Sequence, residues 1–238
     1  MHTQYHIEDT TEIITPALVV FRELVEQNLD KMLEIAGSAS RMRPHCKTHK
    51  MREVVAMQLE RGITKHKCAT FAEAEMLAEA GVTDILLAYN IVGPNIHRSV
   101  TFLEKYPAVH FFVTADHEKP IAELGTAMTA AGKSIEVLLD IDTGQHRTGI
   151  PVGTKAKKLY QQLVETSGLK PGGFHLYDGH QHQSSRAERT VAVNAEFQKV
   201  LAFRDELVGN YWPVPRMVCG GTASFPVYAE QADSAIEC

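Results

Sequence analysis

Short apolar runs alternate with amphipathic stretches along the whole chain. Runs such as ILLAYNI and VLLDID are apolar at successive positions, which is typical of strands buried on both faces of a parallel sheet. The pattern predicts extended segments at 15–20, 41–48, 65–70, 84–91, 109–116, 135–142, 172–179 and 216–221.

Amphipathic segments with helical spacing lie between these runs. Several of them end at a glycine, such as Gly37, Gly62, Gly81 and Gly132, as helices commonly do. Alternating strands and helices predict a parallel sheet with right-handed crossovers. About eight such units indicate an α/β fold of the (β/α)8 TIM-barrel type, with a doubly wound open sheet as the alternative. The helices are predicted over 21–37, 51–61, 71–81, about 94–105, 117–132, 153–167 and about 184–209.

Composition narrows the class of protein. The chain has 238 residues, 44% hydrophobic and 22% charged, as in an ordinary globular domain. Its net charge of -5 argues against a nucleic-acid or anionic-membrane partner, because binding phosphates needs a basic face. The four cysteines form no CxxC pair, and neither a signal peptide nor an apolar run of membrane-spanning length is evident. A cytoplasmic location is therefore expected.

Two predicted strand ends carry cationic side chains. Catalytic residues of barrel enzymes stand at the C-terminal ends of strands. Lys47 in RMRPHCKTHK is expected to be partly desolvated beside other cations, which favours a neutral, nucleophilic amine. The alternative is a surface lysine in a basic turn. Arg147 in DIDTGQHRTGI suits a phenolate, carboxylate or phosphate, although pairing with Asp140 or Asp142 is an equal alternative.

Two further strand ends are polar. In GGFHLYDGHQHQ, Tyr177 is placed to lie against a flat cofactor, while Asp178, His180 and His182 form a less favoured metal-ligand set. In VCGGTASFP, backbone N–H groups of Gly220, Gly221 and Thr222 are predicted to form an anion-binding nest, with hydroxyl groups of Thr222 and Ser224 as further donors. The alternative is an ordinary turn.

A lysine, an arginine, an aromatic ring and a phosphate nest at four strand ends match the needs of pyridoxal phosphate. The segment RPHCKTHK resembles the cofactor-lysine motif of the D-threonine aldolase and D-serine dehydratase group, which are fold-type III pyridoxal-phosphate enzymes with an alanine racemase-like barrel. ITPALVV, the VGP after the fourth extended run, DTGQHRTG and CGGTASFP resemble further blocks of that group in the same order.

The resemblance implies a role for each matching residue. Lys47 carries the cofactor as an imine, and Arg147 approaches its phenolic oxygen. Tyr177 lies beside the pyridine ring or its nitrogen. His180 and His182 are candidates for the substrate side. The resemblance also implies that TPALVV lies outside the barrel. The matching phosphate loop is Gly220, Gly221 and Thr222.

The family resemblance also implies what the chain lacks. Members continue into a C-terminal β-domain that supplies a divalent-metal site, so residues 1–238 are expected to form the cofactor-binding barrel alone, with no metal ligands of its own. AIEC is expected to begin the last barrel strand, which predicts open strand edges, low stability and no normal turnover.

The expected reaction is retro-aldol cleavage of a D-β-hydroxy amino acid to glycine and an aldehyde. D-serine dehydratase-like elimination and a non-catalytic role in pyridoxal-phosphate homeostasis are the alternatives. The full-length family member is expected to be a homodimer whose other partner is a small D-amino acid.

Overall fold

Seven parallel strands, each hydrogen-bonded to the next one in chain order, form the sheet of the computed structural model, which describes residues 5–238. The strand order never reverses, which excludes the doubly wound sheet, where the order switches direction. The sheet curls as an α/β barrel truncated in its last strand does, so the predicted fold class is confirmed. The strands are β1 (Lys65–Cys68), β2 (Asp84–Asn90), β3 (His110–Ala115), β4 (Ile135–Ile141), β5 (Leu169–Leu176), β6 (Met217–Cys219) and β7 (Ile236–Glu237).

Helices cover the outer face of the sheet. Seven of them lie inside the predicted helical ranges, and the eighth, a single short turn of helix after β6, was not predicted. Their buried apolar side chains pack with those of the strands into one large core. The helices are α1 (Arg22–Ala36), α2 (Arg52–Glu60), α3 (Phe71–Glu79), α4 (Pro94–Lys105), α5 (Glu118–Ala130), α6 (Thr154–Glu165), α7 (Arg186–Gly209) and α8 (Phe225–Ala229).

The segment 41–45, which is extended from Met42 onwards, lies between β1 and β7 and links the two sides of the sheet. The N–H of Lys67 donates to Pro44 O at 2.8 Å. On the other side, Arg43 N donates to Cys238 O at 2.6 Å, and Cys238 N donates to Arg41 O at 2.8 Å. The expectation of open strand edges is therefore wrong, because even the two-residue β7 and the residue after it supply enough backbone groups to pair with this segment.

Two of the predicted extended segments are not full strands of the sheet. The predicted strand 41–48 is extended only as far as His45, and Cys46–Thr48 form a 3₁₀ turn. Residues 15–20 lie outside the sheet, as the resemblance implies, and Leu18 there is 84% exposed. Among residues 5–238, no helix has the length and apolar character that crossing a membrane requires.

Side chains pointing into the barrel form an apolar layer across its middle. Leu86, Phe112, Leu138 and Val218 come from four different strands, are all buried and pack against each other. Because side chains alternate between the two faces of a strand, the residues two positions earlier form the layer beneath them.

That lower layer is a network of ion pairs, here called the barrel floor. Arg43, whose side chain is fully buried, donates to Asp84 Oδ1 and to Glu237 Oε2, each at 2.6 Å. Its guanidinium carbon lies 4.8 Å from the centroid of the Phe112 ring, which stacks the floor on the apolar layer. The floor is completed by Lys65, His110, Glu136 and Arg216.

His110 is the histidine of the barrel floor. Its Nε2 lies 2.9 Å from Glu136 Oε1 and its Nδ1 3.4 Å from Asp84 Oδ2, so the charged ring donates to two carboxylates. These hydrogen bonds, that with Asp84 first, raise the pKa of His110 to about 9. The hydrogen bond from His110 in turn lowers the pKa of Glu136 to about 2.

We therefore predict a specific loss of stability at alkaline pH. A histidine whose pKa is raised on folding stabilises the fold fully below its ordinary value of 6.5, and this contribution disappears as the pH rises through about 9. In thermal melts between pH 6 and 10, His110→Gln should lower the Tm by a few degrees at pH 6 and hardly at all at pH 10. The exposed His97→Gln on α4 is the matched control. An equal loss at both pH values for His110→Gln would contradict the assignment.

Candidate functional site

A cavity of about 400 Å³ opens at the C-terminal ends of the strands, the end where barrel enzymes act. It is lined by the segment 42–49, by the loop after β4, by the end of β5 and by the turn after β6. Its lining contains no aspartate or glutamate side chain from the described part of the chain. The cationic and imidazole side chains that line it are Arg43, His45, Lys47, His49, Lys67, Arg147 and His175.

Lys47 stands in the 3₁₀ turn that follows the closing segment 41–45, so the backbone leaves the barrel wall just before it. Its N–H donates to Nδ1 of His45 at 3.2 Å, which caps the turn. Burial of the amine lowers the pKa of Lys47, and the positive charge of Arg147 acts in the same direction. This agrees with the expected surroundings of an amine that attacks a carbonyl, and the covalent role itself stays a prediction.

The ring of Tyr177 contacts both cations that the sequence singled out. Lys47 Nζ is 5.1 Å from the centroid of its ring, and Arg147 Cζ is 4.4 Å from it. Both contacts are in the range of cation–π attraction. The structure thus brings together three of the predicted site residues, which are separated by up to 130 positions in the chain.

The loop that carries Arg147 is folded around Asp142. Its Oδ1 accepts the N–H groups of Gly144 at 2.9 Å and His146 at 3.0 Å. Although partial burial opposes ionisation, these hydrogen bonds hold the pKa of Asp142 below its ordinary value. Gly149 ends the loop at φ +91°, where a Cβ would come within 2.8 Å of Asp142 N.

The alternative role of Arg147 as an internal ion pair is contradicted. Asp142 is engaged by His146, and Asp140 by His175, whose Nδ1 is 2.7 Å from Asp140 Oδ1. Arg147 pairs with no carboxylate among residues 5–238 and is exposed at the mouth of the cavity. It is therefore free to receive an anion.

Two imidazoles line the inner part of the cavity. His175 is buried, and since Asp140 occupies Nδ1, its Nε2 is the nitrogen left for a ligand. His45 is next to it in the lining. Burial lowers the pKa of His45 to about 2, and the charges of Lys67 and Lys47 add to this, so the ring is neutral.

The turn after β6 holds fewer free donors than the sequence predicted. The N–H of Gly220 donates to Leu176 O and that of Gly221 to Ser224 Oγ, each at 2.9 Å. Expecting both N–H groups in an anion nest was wrong, because the backbone uses them to hold the turn. Ser224 is also occupied, since its hydroxyl donates to Asp178. Thr222 keeps a hydroxyl that bonds no residue of the described chain, and it lines the cavity.

The metal-ligand set Asp178, His180 and His182 does not assemble. Asp178 points away, accepting hydrogen bonds from Ser224 and, at 3.0 Å, from the Tyr228 hydroxyl. His182 is exposed, and neither histidine lines the cavity. Their predicted place on the substrate side is therefore unsupported by the lining.

One group within residues 5–238 has metal-like spacing: His45, Cys46 and Glu73, whose ligand atoms lie within 4.8 Å of each other. Both oxygens of Glu73 are occupied, since Oε2 accepts the N–H of Ala69 at 2.7 Å and Oε1 pairs with Lys50 at 3.0 Å. The carboxylate thus serves to start α3 and to fix the Lys50 side chain.

Lys67 is the lining residue that sequence reasoning missed. It lies on β1, is 6% exposed and lines the cavity. The signal that could have found it is the alternation in KHKC, because Lys65 and Lys67 share one face of a strand and lysine is rare in barrel interiors.

Comparison with known proteins gives consistent results. The model of the "Alanine racemase, N-terminal domain" family matches residues 22–235. A D-threonine aldolase from Arthrobacter sp is 32% identical over 212 residues, 88% of this chain and 55% of the relative. A 3-hydroxy-D-aspartate aldolase from Paracoccus denitrificans is 27% identical over 91% of this chain and 57% of its own.

A solved structure supports the same grouping. The D-threonine aldolase from Filomicrobium marinum superposes with a TM-score of 0.82 at 28% identity, covering 91% of this chain and 59% of that one. The chain thus spans little more than half the length of the relatives it matches. With this match to sequence and fold over most of its length, the chain belongs to the alanine racemase N-terminal domain family.

Proposed function

We propose that this chain is the pyridoxal-phosphate-binding barrel of a lyase that cleaves D-β-hydroxy amino acids in the manner of a D-threonine aldolase. One observation carries the proposal. Lys47 and Arg147 both lie against the ring of Tyr177 in a cavity whose lining, within the described residues, holds no carboxylate side chain. Similarity to the D-threonine aldolase and 3-hydroxy-D-aspartate aldolase supports the reaction class.

The cavity residues fit pyridoxal phosphate. The cofactor carries two anionic groups, a phosphate and a phenolate, on a flat ring. A molecule of this size fits a cavity of about 400 Å³. Lys47 would hold it covalently through Nζ and Arg147 would pair with the phenolic oxygen. Thr222 would donate to the phosphate, and Tyr177 would lie along the ring. When bound, the cofactor supplies an electron sink for the carbanion left by bond cleavage at Cα.

The chain's own side chains would then orient the bound ligand and exchange protons with it. His175 is held by Asp140 in one orientation, so its Nε2 can give or take a proton at a defined point inside the cavity. His45, being neutral, adds no charge there. Burial and the charge of Arg147 favour a neutral Lys47 that is ready to attack.

Two alternatives keep the same cofactor but change what the protein does with it. A D-threo-3-hydroxyaspartate dehydratase from Delftia sp. HT23 matches this chain with a TM-score of 0.79 at 25% identity, so β-elimination of water, also expected for a D-serine dehydratase, is the second candidate. The third is a barrel that binds the cofactor without turnover. The share of the relatives that the chain spans, 55% and 57%, supports a further domain in the whole enzyme, and a divalent metal is proposed only with that domain.

We also propose that the whole enzyme is cytoplasmic and homodimeric and that it acts on a small D-amino acid. We propose no nucleic-acid or membrane partner. The net charge of -5 supports the last point.

We predict that Lys47 is the covalent attachment point. Mixing the protein with pyridoxal phosphate should produce the visible absorption band of a lysine-bound cofactor, and borohydride should fix the label on the peptide containing Lys47. Lys47→Arg keeps the charge but cannot form the bond, so it should lose the band, whereas Lys50→Arg, three residues on, should keep it. Labelling of Lys47→Arg at wild-type strength would refute the assignment.

We predict that Thr222 binds the phosphate of the cofactor. Thr222→Val removes one hydroxyl at nearly constant volume, and a hydrogen bond to a charged group contributes about 1.5–3 kcal/mol. Affinity for pyridoxal phosphate should fall about tenfold or more in a fluorescence titration, while affinity for pyridoxal, which lacks the phosphate, should hold. Thr126→Val on the exposed face of α5 is the matched control. An equal loss for both ligands would point to a damaged turn instead.

We predict that D-threonine yields glycine and acetaldehyde when the chain, extended to the length of its relatives, is assayed with pyridoxal phosphate and Mn²⁺. Elimination would instead release ammonia and a 2-oxo acid, so coupled assays for aldehyde and ammonia separate the two lyases. Cofactor binding with neither product would favour the non-catalytic alternative. The same assay on residues 1–238 tests the role of the further domain, since without it we expect cofactor binding but no normal turnover.

A further inference from the structure

Lys67 is a second lysine inside the barrel. On β1 it pairs with Leu86, so its stem shares the apolar layer of Leu86, Phe112, Leu138 and Val218. The residue also lines the cofactor cavity, where its charge acts on His45 and Lys47, and it is 6% exposed. Lysine is almost never buried to this degree unless it is paired.

No partner for the amine exists among residues 5–238. It makes neither a hydrogen bond nor an ion pair, in contrast to Lys65 two residues earlier, which is held by Glu237 at 2.7 Å. The titratable and charged side chains that face it are those of Arg43, His45, Lys47, Cys219 and Cys238, none of them an aspartate or glutamate. Burial lowers the pKa of Lys67 to about 8, and the charges of Arg43 and Lys47 act in the same direction.

A buried amine in such surroundings is suited to a ligand that brings the missing negative charge. An unpaired ammonium is costly to bury, but the cost is offset when an anion enters the same low-dielectric space. The other cations of the cavity are already engaged. Arg43 is paired with Asp84 and Glu237, Lys47 gives up its amine to the covalent bond, and Arg147 stands at the mouth. Lys67 is the cation left to balance a ligand with more than one anionic group.

We propose that Lys67 is a second anion-binding residue of the cavity, which takes a proton from solvent and pairs with an anionic oxygen of the bound cofactor. The inference rests on the proposed function, because it names pyridoxal phosphate as the ligand. The cofactor would then be bound by a residue of a barrel strand as well as by residues of the loops.

Proton uptake on binding is the measurement that separates this role from simple packing. Titration calorimetry at pH 8 in two buffers of different ionisation enthalpy gives the number of protons taken up per ligand. Lys67→Met keeps the length of the side chain without the charge. It should lower the proton uptake by up to one per site and weaken pyridoxal phosphate at least tenfold, while borohydride still labels Lys47. Lys65→Met on the same face of β1 is the control and should bind as the wild type does.

Two further probes identify the anionic oxygen. Inorganic phosphate forms no imine, so uptake that depends on Lys67 with this probe assigns the phosphate. Dependence with pyridoxal assigns the phenolic oxygen. Should Lys67→Met match the wild type in uptake and affinity with all three ligands, Lys67 does not bind the cofactor. Failure of the wild type to bind pyridoxal phosphate would instead refute the proposed function, so the two failures remain distinct.

Discussion

A single buried guanidinium holds the barrel together at its base. A closed parallel sheet must fill its own interior with side chains, and Arg43 fills the base of this one. It pairs with Asp84 on one side and Glu237 on the other, and it stacks on Phe112. Removing one partner of a buried ion pair costs about 3–5 kcal/mol, because the remaining charge stays buried without compensation. Closure of the sheet and filling of its core therefore depend on the same residue.

The two ends of the barrel use charge in opposite ways. At the floor, the four cations Arg43, Lys65, His110 and Arg216 share the three carboxylates of Asp84, Glu136 and Glu237, so each cation is paired and the pairs contribute to stability. At the mouth, the lining holds lysine, arginine and imidazole but, among residues 5–238, no carboxylate side chain. Their charges are left for a ligand, although the chain as a whole carries a net charge of -5. Such a local cationic cavity in an acidic protein can attract anions selectively.

Much of this arrangement could be predicted from the sequence. The first seven helices lie within the ranges that periodicity indicated, because each one buries one regular stripe of apolar side chains. Lys47, Arg147 and Tyr177 converge as expected, since the ends of parallel strands meet at one edge.

The parts that could not be predicted depend on contacts between distant residues. Local sequence could not show that the N–H groups of Gly220 and Gly221 are used within the turn, nor that Asp140 pairs with His175 and leaves Arg147 free. The alternation in KHKC puts Lys65 and Lys67 on one face of β1, but only the register with β2 shows that this face points into the barrel. The closing pairs of residues 41–45 with Cys238 join segments far apart in the chain, which no local pattern encodes.

The long separation of that closing contact has a consequence for the order of folding. Each strand pairs with the next one along the chain, whereas Arg43 and Glu237 are 194 positions apart. Bringing such distant residues together carries a large loop-closure entropy until the units between them have formed. We therefore expect the strand–helix units to assemble progressively, with the meeting of the first and last segments as the late step that converts an open ribbon into a ring.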